Sequence, residues 1–289
     1  MHWYGHGGIS YALATMSVNL YVHLKSGESE LAVAPWRGGL PTSWRIDDRE
    51  VFFMDEATFA DTSRSVRGGS PLLFPSPGRL QNDTFVTEHA RGRLRQHGFA
   101  REMAWTLGDG GRFHAESNAD TLALYPWSWK LSMRPRLAGQ HLLLEHGVTN
   151  TSQHMMPFAF GHHPYFFVPP ERKSALRAHT RATRAWHNVA KSFGPPGALD
   201  FGAGELDVVL YDHPSQEFVL SDDDGPLLRV SASHEYSTWV LWTLPGKPFV
   251  CVEPWTAPPD ALNSGQKLLW LEPGETRDMW VQYQSLRAL

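Results

Sequence analysis

Two histidines and a glutamate stand where this sequence could do acid/base work. The stretch Gly161-His162-His163-Pro164-Tyr165-Phe166 follows an apolar run over 155–160 and sets two imidazoles where a strand reads as ending. Pro164 has no N–H to give a ladder, so pairing on that side should stop or become an edge. Strand side chains alternate between faces, so His162 and His163 cannot both line one pocket. Far downstream, Phe249-Val250-Cys251-Val252-Glu253-Pro254 is an apolar strand ending on a carboxylate, which the following proline holds extended. Burial beside Val252 and Trp255 would raise the Glu253 pKa toward the range of a general base. A glutamate paired with a distant arginine would read the same way.

Other polar groups sit on shaped loops. Gly68-Gly69-Ser70-Pro71-Leu72-Leu73-Phe74-Pro75-Ser76-Pro77-Gly78-Arg79 is too rich in glycine and proline for a regular element, and it delivers Arg79. Taken alone, that residue is a surface arginine after a turn. Gln96-His97-Gly98-Phe99-Ala100-Arg101 places His97 beside a glycine that allows close backbone approach, with Phe99 as an anchor. A histidine in that setting is more often structural. Glu205, Asp207 and Asp212 surround a strand entered from a glycine-rich turn, as caps or as ligand contacts. Tyr125, Trp127 and Trp129 form a stripe on one strand face, most simply core, with sugar stacking as the other reading.

Several chemistries lack support. The chain has 15 histidines, but it has no His-Glu-x-x-His, no cysteine pair and no His-x-His. The single cysteine, Cys251, lies in an apolar strand, where a thiol is usually inert, and no Gly-x-Ser-x-Gly elbow occurs. Asp222-Asp223-Asp224-Gly225 lacks calcium-loop spacing and reads as a hairpin turn, with Asp224-Gly225 at its tip. What remains is a histidine and a glutamate at strand ends, suited to acid/base chemistry on a polar small molecule, with no metal or cofactor.

The elements that must hold these groups are strands. The 289 residues, 42% hydrophobic and 19% charged, are enough for one sizeable core, and no repeat or linker divides 1–289. With 12 Trp, 25 Gly and 21 Pro, the apolar runs stay short and are broken by turns, which argues an all-β sandwich or barrel. No candidate helix reaches three turns. Asp47-Asp48 reads as a hairpin turn between Trp44-Arg45-Ile46 and Val51-Phe52-Phe53-Met54. A second hairpin, from 142–150 back through 155–160, would deliver the histidine pair. Residues 172–190 read as a short helix or a long connection with a solvated charged face. A net charge of −4 disfavours a nucleic-acid partner, and no apolar run spans a bilayer. With one cysteine and no leader-like N-terminus, the expectation is a cytoplasmic protein, monomer or homodimer, acting on a small molecule.

The histidine motif, followed by Cys251-Val252-Glu253-Pro254-Trp255, resembles the aldose 1-epimerase (galactose mutarotase) family. Supporting stretches are Gly68-Gly69-Ser70-Pro71 with Pro77-Gly78-Arg79, then Gln96-His97-Gly98-Phe99-Ala100-Arg101, and Leu271-Glu272-Pro273-Gly274-Glu275-Thr276. They occur in family order across nearly the whole chain. The resemblance implies a large antiparallel β-supersandwich and interconversion of sugar anomers. It puts His163 at the general-acid position and Glu253 at the base, with Arg79, His97 and Asp207 on the sugar. Asp207 is the loosest match, since Glu205 and Asp212 are near. A histidine with its pKa near 6.5 and a glutamate below it, roughly the reference values, would give the required protonation states at neutral pH. Pro164 replaces a hydroxyl residue of the best-known mutarotases, and Trp255-Thr256-Ala257-Pro258-Pro259-Asp260 follows Glu253. Both resemble a divergent branch with members acting on hexose 6-phosphates, where Arg101 would be a phosphate ligand.

Overall fold

The computed structural model describes residues 3–4, 10–16, 19–88 and 90–287. Antiparallel strands dominate, and the longest α-helix among these residues, Ala119–Leu124, has 6 residues. A six-stranded meander comes first, ending in Leu40–Ile46 and Arg49–Glu50. Asp47 and Asp48 join those last two strands with φ of 49° and 61°, the left-handed pair that a two-residue primed turn requires. The predicted strand over 51–54 is reduced to isolated bridges, Phe52 to Phe166 and Met54 to Gly68.

An eight-stranded sheet has Trp129–Ala138, His141–Asn150, Thr276–Ser285 and Gly225–Ala232 at its centre. Its Glu217–Asp222/Gly225–Ala232 hairpin turns at Asp223-Asp224, one residue earlier than the sequence suggests. A second eight-stranded sheet carries the chemistry. Its strands in chain order are β1 (Leu72–Leu73), β2 (Gly161–His162), β3 (Tyr165–Phe167), β4 (Ala185–His187), β5 (Leu206–Leu210), β6 (Thr238–Thr243) and β7 (Phe249–Trp255), with Ser192–Gly194 at one edge. In space the order is Ser192–Gly194, β4, β5, β6, β7, β2, β1, with β3 also paired to β7.

The two large sheets bury their facing sides together. Leu144, Val230 and Val281 of one pack in a common core with Phe166, Leu241, Val250 and Val252 of the other. The edge-on contact of Phe166 with Tyr283, at 5.4 Å between centroids, lies within it. Tyr125, Trp127 and Trp129 are all buried in this core, although only Trp129 lies in a strand. The expected hairpin from 142–150 into the histidine motif does not form. His141–Asn150 is already paired on both edges, so Met156–Phe158 pairs with Leu269–Leu271 instead. Residues 172–190 hold a short 3-10 helix, Pro170–Ala175, and two short strands. Arg177, Arg181 and Arg184 are exposed, as the solvated face requires, whereas Lys173 is buried, donating to Thr243 Oγ1 at 2.6 Å and the Leu244 carbonyl at 2.9 Å.

His162 belongs to the core. Its Nε2 lies 2.9 Å from His146 Nε2 and its Nδ1 3.4 Å from Ser70 Oγ, which in turn meets Tyr283 OH at 2.9 Å. Only one of the two facing imidazole nitrogens can carry a proton, and burial disfavours a charge on either ring. Burial pulls the pKa of His146 well below 6.5 and that of His162 down to about 3. The unfolded chain therefore takes up protons first, and the stability these rings contribute is lost as pH falls below 6.5 toward the folded values. We expect the urea midpoint to drop over that window. A flat profile would show that the pair is not sealed in the native state.

Candidate active site

The histidine motif and β7 form one interrupted strand pair. Gly161 lies opposite Trp255 and Tyr165 opposite Cys251, so the register is continuous across the gap. Within that register, position 163 faces position 253. Pro164 and Pro254 both lack the N–H a ladder would use there. Pairing therefore stops beside His163, as its proline suggested, without any slip in register. His163 N instead donates to the Pro71 carbonyl at 3.0 Å, and Tyr165 N to that of Gly69 at 2.8 Å.

Alternation then fixes one face. Glu253, Cys251 and Trp255 point the same way from β7, with Val240 and Trp242 beside them on β6 and Asp207 beyond on β5. That face floors a cavity of about 960 Å³, near the top of the roughly 300–1,000 Å³ range of small-molecule sites. His163, Glu253, His97, Asp207 and Arg79 all line it. His163 Nε2 stands 3.5 Å from Glu253 Oε1. The imidazole stacks on Tyr165 at 4.7 Å and meets the Trp242 edge at 5.4 Å, so its ring plane is fixed. Its 8% exposure and the 1% of Glu253 leave the pair nearly dry.

That dryness reverses the expected order of protonation. Burial, aided by the Arg101 and Arg67 guanidinium charges, pulls the His163 pKa down to about 3. Burial and the Asp207 carboxylate push Glu253 well above its usual value, against the weaker pull of the Trp255 indole and Arg101. Histidine is thus the poorer and glutamate the better holder of a proton.

His97 is built in by its own loop. Its φ is +71°, Gly98 follows at +69°, and a Cβ on Gly98 would come within 2.1 Å of the Phe74 carbonyl oxygen. Phe99 anchors the turn by stacking on Trp129 at 5.6 Å. His97 N donates to the Gly78 carbonyl at 2.8 Å, and Gly78 N donates to His97 Nδ1 at 3.0 Å. Nδ1 is thus an acceptor, so the neutral ring carries its proton on Nε2. Burial keeps that ring neutral, with Arg101 adding to the effect.

The carboxylates separate by use. Asp212 accepts from Thr183 N and Oγ1 and from Arg184 N, and so caps that turn away from the cavity. Glu205 and Asp207 both line the cavity. Asp207 accepts from Asn188 Nδ2 at 2.7 Å, and burial raises its pKa. Arg79 is at the mouth, its side chain 71% exposed and 3.8 Å from Asp83. Arg67, Asn188, Trp242, Tyr165 and Trp255 line the cavity but escaped the sequence reading as site residues. Period-two alternation from Glu253 and His163 would have found the last two. Arg67 and Asn188 carried no signal, since each arrives from another segment.

The fold is a β-sandwich of packed antiparallel sheets with an imidazole–carboxylate pair facing a cavity on the outer side of one. The model of the aldose 1-epimerase family matches residues 21–284, and the chain belongs to that family, whose members are isomerases acting on carbohydrates. It is similar to Slr1438 of Synechocystis sp. PCC 6803, at 34% identity and a TM-score of 0.86 over 95% of this chain and 100% of that one. A galactose mutarotase-like protein of Clostridium acetobutylicum shares the fold, with a TM-score of 0.77 at 17% identity over 96% and 98% of the chains. Protein LacX of Lactococcus lactis subsp. lactis is 28% identical over 233 residues, 70% of this chain and 78% of that protein. No helix among the described residues is long and apolar enough to cross a membrane.

A raised carboxylate pKa has a stability consequence. Above pH 4.5 the unfolded chain loses the Glu253 proton while the folded one keeps it, so stability falls as pH rises toward the folded value. Glu253→Gln removes that loss. We expect its melting temperature to exceed the wild-type value at neutral pH, with the gap closing toward pH 4.5. Parallel melting profiles for the two proteins would show that Glu253 ionises freely in the fold.

Proposed function

We propose that this protein interconverts the α and β anomers of an aldohexose by acid/base ring opening and reclosure. The observation that carries the proposal is the buried His163–Glu253 pair, 3.5 Å apart and open to a sugar-sized cavity. Glu253 takes the proton of the anomeric hydroxyl while His163 delivers one to the ring oxygen. The C1–O5 bond breaks, and the sugar becomes an open-chain aldehyde. Rotation about C1–C2 presents the other carbonyl face, and reclosure with the proton roles reversed gives the other anomer.

The step removes one proton from the sugar and returns one, so the pair must hold a single proton before and after. A glutamate raised and a histidine lowered by the same burial hold one between them over a wide pH range. Arg101 draws both pKa values down, so ring opening starts from the minor form in which the single proton has moved from Glu253 to His163 across their 3.5 Å contact. His97, whose Nε2 also meets the Gln96 side-chain amide at 3.2 Å, and Asp207 face the ring hydroxyls, Arg79 is a contact at the mouth, and Trp242 and Trp255 give apolar walls.

Polarimetry of freshly dissolved α-glucose or α-galactose tests this. A positioned acid or base is worth about 10²–10⁴-fold, and we expect losses of that order for Glu253→Gln and His163→Asn. His162→Asn, on the core face, should cost far less. If wild type relaxes the sugar no faster than buffer, the protein is a sugar binder. If His162→Asn is the worse variant, the acid has been misassigned.

A second reading is favoured by one observation. Arg67, Arg79 and Arg101 line the same cavity, and Arg101 Nε is buried with no hydrogen-bond partner among the described residues. Such guanidinium groups suit a phosphate, which makes a hexose 6-phosphate the alternative substrate. We expect a higher kcat/KM for glucose than for its 6-phosphate. The reverse order, lost on Arg101→Gln, would move the assignment to the phosphorylated sugar.

A further inference from the structure

Cys251 has no part in the proton transfers above and does not line the cavity, yet it lies buried just beneath Glu253 and His163. It is two residues from Glu253 on β7 and points to the same face, opposite Tyr165. One ligand atom each from His163, Cys251 and Glu253 lies within 4.8 Å of the other two. Glu253 Oε2 is buried with no hydrogen-bond partner among the described residues. Sulfur, imidazole nitrogen and carboxylate oxygen, converging beneath an open cavity, form a donor set with one coordination position left free.

We propose that His163, Cys251 and Glu253 form a binding site for a soft divalent cation of the zinc class, which competes with the sugar. Tetrahedral zinc with bonds of about 2.0–2.3 Å sets its ligand atoms roughly 3.3–3.6 Å apart. The His163 Nε2–Glu253 Oε1 separation of 3.5 Å already meets this. Bringing in the sulfur needs a closure on the order of an ångström, given the tetrahedral spacing. The fourth position faces the cavity, where water or a sugar hydroxyl would sit.

Charge balance favours a dication. Burial keeps both the Cys251 thiol and the Glu253 carboxyl toward their protonated forms and His163 neutral. One dication entering with loss of the thiol and carboxyl protons leaves the cluster neutral, as it was before. Arg101 opposes an uncompensated cation here, so a thiolate and a carboxylate are both needed. A thiolate ligand selects zinc-like ions over magnesium or calcium. Binding does not depend on the catalytic reading. Its consequence, the loss of anomer exchange through occupation of both acid and base, does rest on it.

The test uses the full chain, stripped with chelator and titrated with Co²⁺. We expect visible bands of tetrahedral intensity and a near-ultraviolet thiolate-to-cobalt band, bleached by Zn²⁺ and unchanged by Mg²⁺. Zn²⁺ should inhibit mutarotation competitively with sugar and be reversed by chelator. Cys251→Ser should keep its mutarotase activity, lose the thiolate band and bind Zn²⁺ at least about tenfold more weakly. Absence of the thiolate band in the wild type overturns the proposal without recourse to any variant. So does a Cys251→Ser protein that remains equally sensitive to Zn²⁺. A wild type with the cobalt bands but no sugar turnover would keep the metal site and remove the catalytic assignment.

Discussion

An interrupted but unshifted strand pair governs this site. Gly161 opposite Trp255 and Tyr165 opposite Cys251 define a single register, and the ladder fails only between them. On its other edge the His163 backbone continues the register with β1 by bonding Pro71, and its side chain stands directly across from Glu253. A slip of one residue would turn His162 toward the cavity and His163 into the core, because strand side chains alternate. The pairs on either side of the gap prevent that slip. They are packed among Phe166, Val250 and Val252, whose burial ties the register to the main hydrophobic core.

Each face of β7 therefore has its own physics. Inward, Val250 and Val252 meet the second large sheet, and His162 is spent on a neutral chain through His146, Ser70 and Tyr283. Outward, Glu253 and Trp255 floor a cavity that other segments complete, with Cys251 buried beneath it. The same low polarity that makes His162 a structural group makes the His163–Glu253 pair responsive. A charge on either residue is costly unless the other compensates it. The pair is thus best described by the one proton it shares rather than by two separate pKa values.

Support for the site comes from loops locked by backbone bonds. Gly78 and His97 exchange two hydrogen bonds, and Gly98 lies against the Phe74 carbonyl where no side chain would fit. This latch sets the tautomer of His97 and holds Arg79 at the mouth. Asn188 likewise holds Asp207 by both backbone and side chain. The groups read as substrate contacts thus come from different parts of the chain, each oriented by a bond of its own.

The sequence by itself determined the strand-rich class, the turn at Asp47-Asp48, the core role of the Tyr125–Trp129 aromatics and the mutual exclusion of His162 and His163. All of these follow from local rules: alternation along a strand, the missing N–H of proline, and left-handed turn geometry. Asp222–Gly225 was legible as a turn to within one residue. The tertiary structure alone decided which strands pair, and so the expected hairpin into the histidine motif was not formed. It also removed Asp212 from the site, added Arg67 and Asn188, and placed Cys251 beside a histidine about ninety positions away. The protonation order of His163 and Glu253 belongs to this second group. Reference pKa values describe groups in water, and only burial on a shared face could set the histidine below the glutamate.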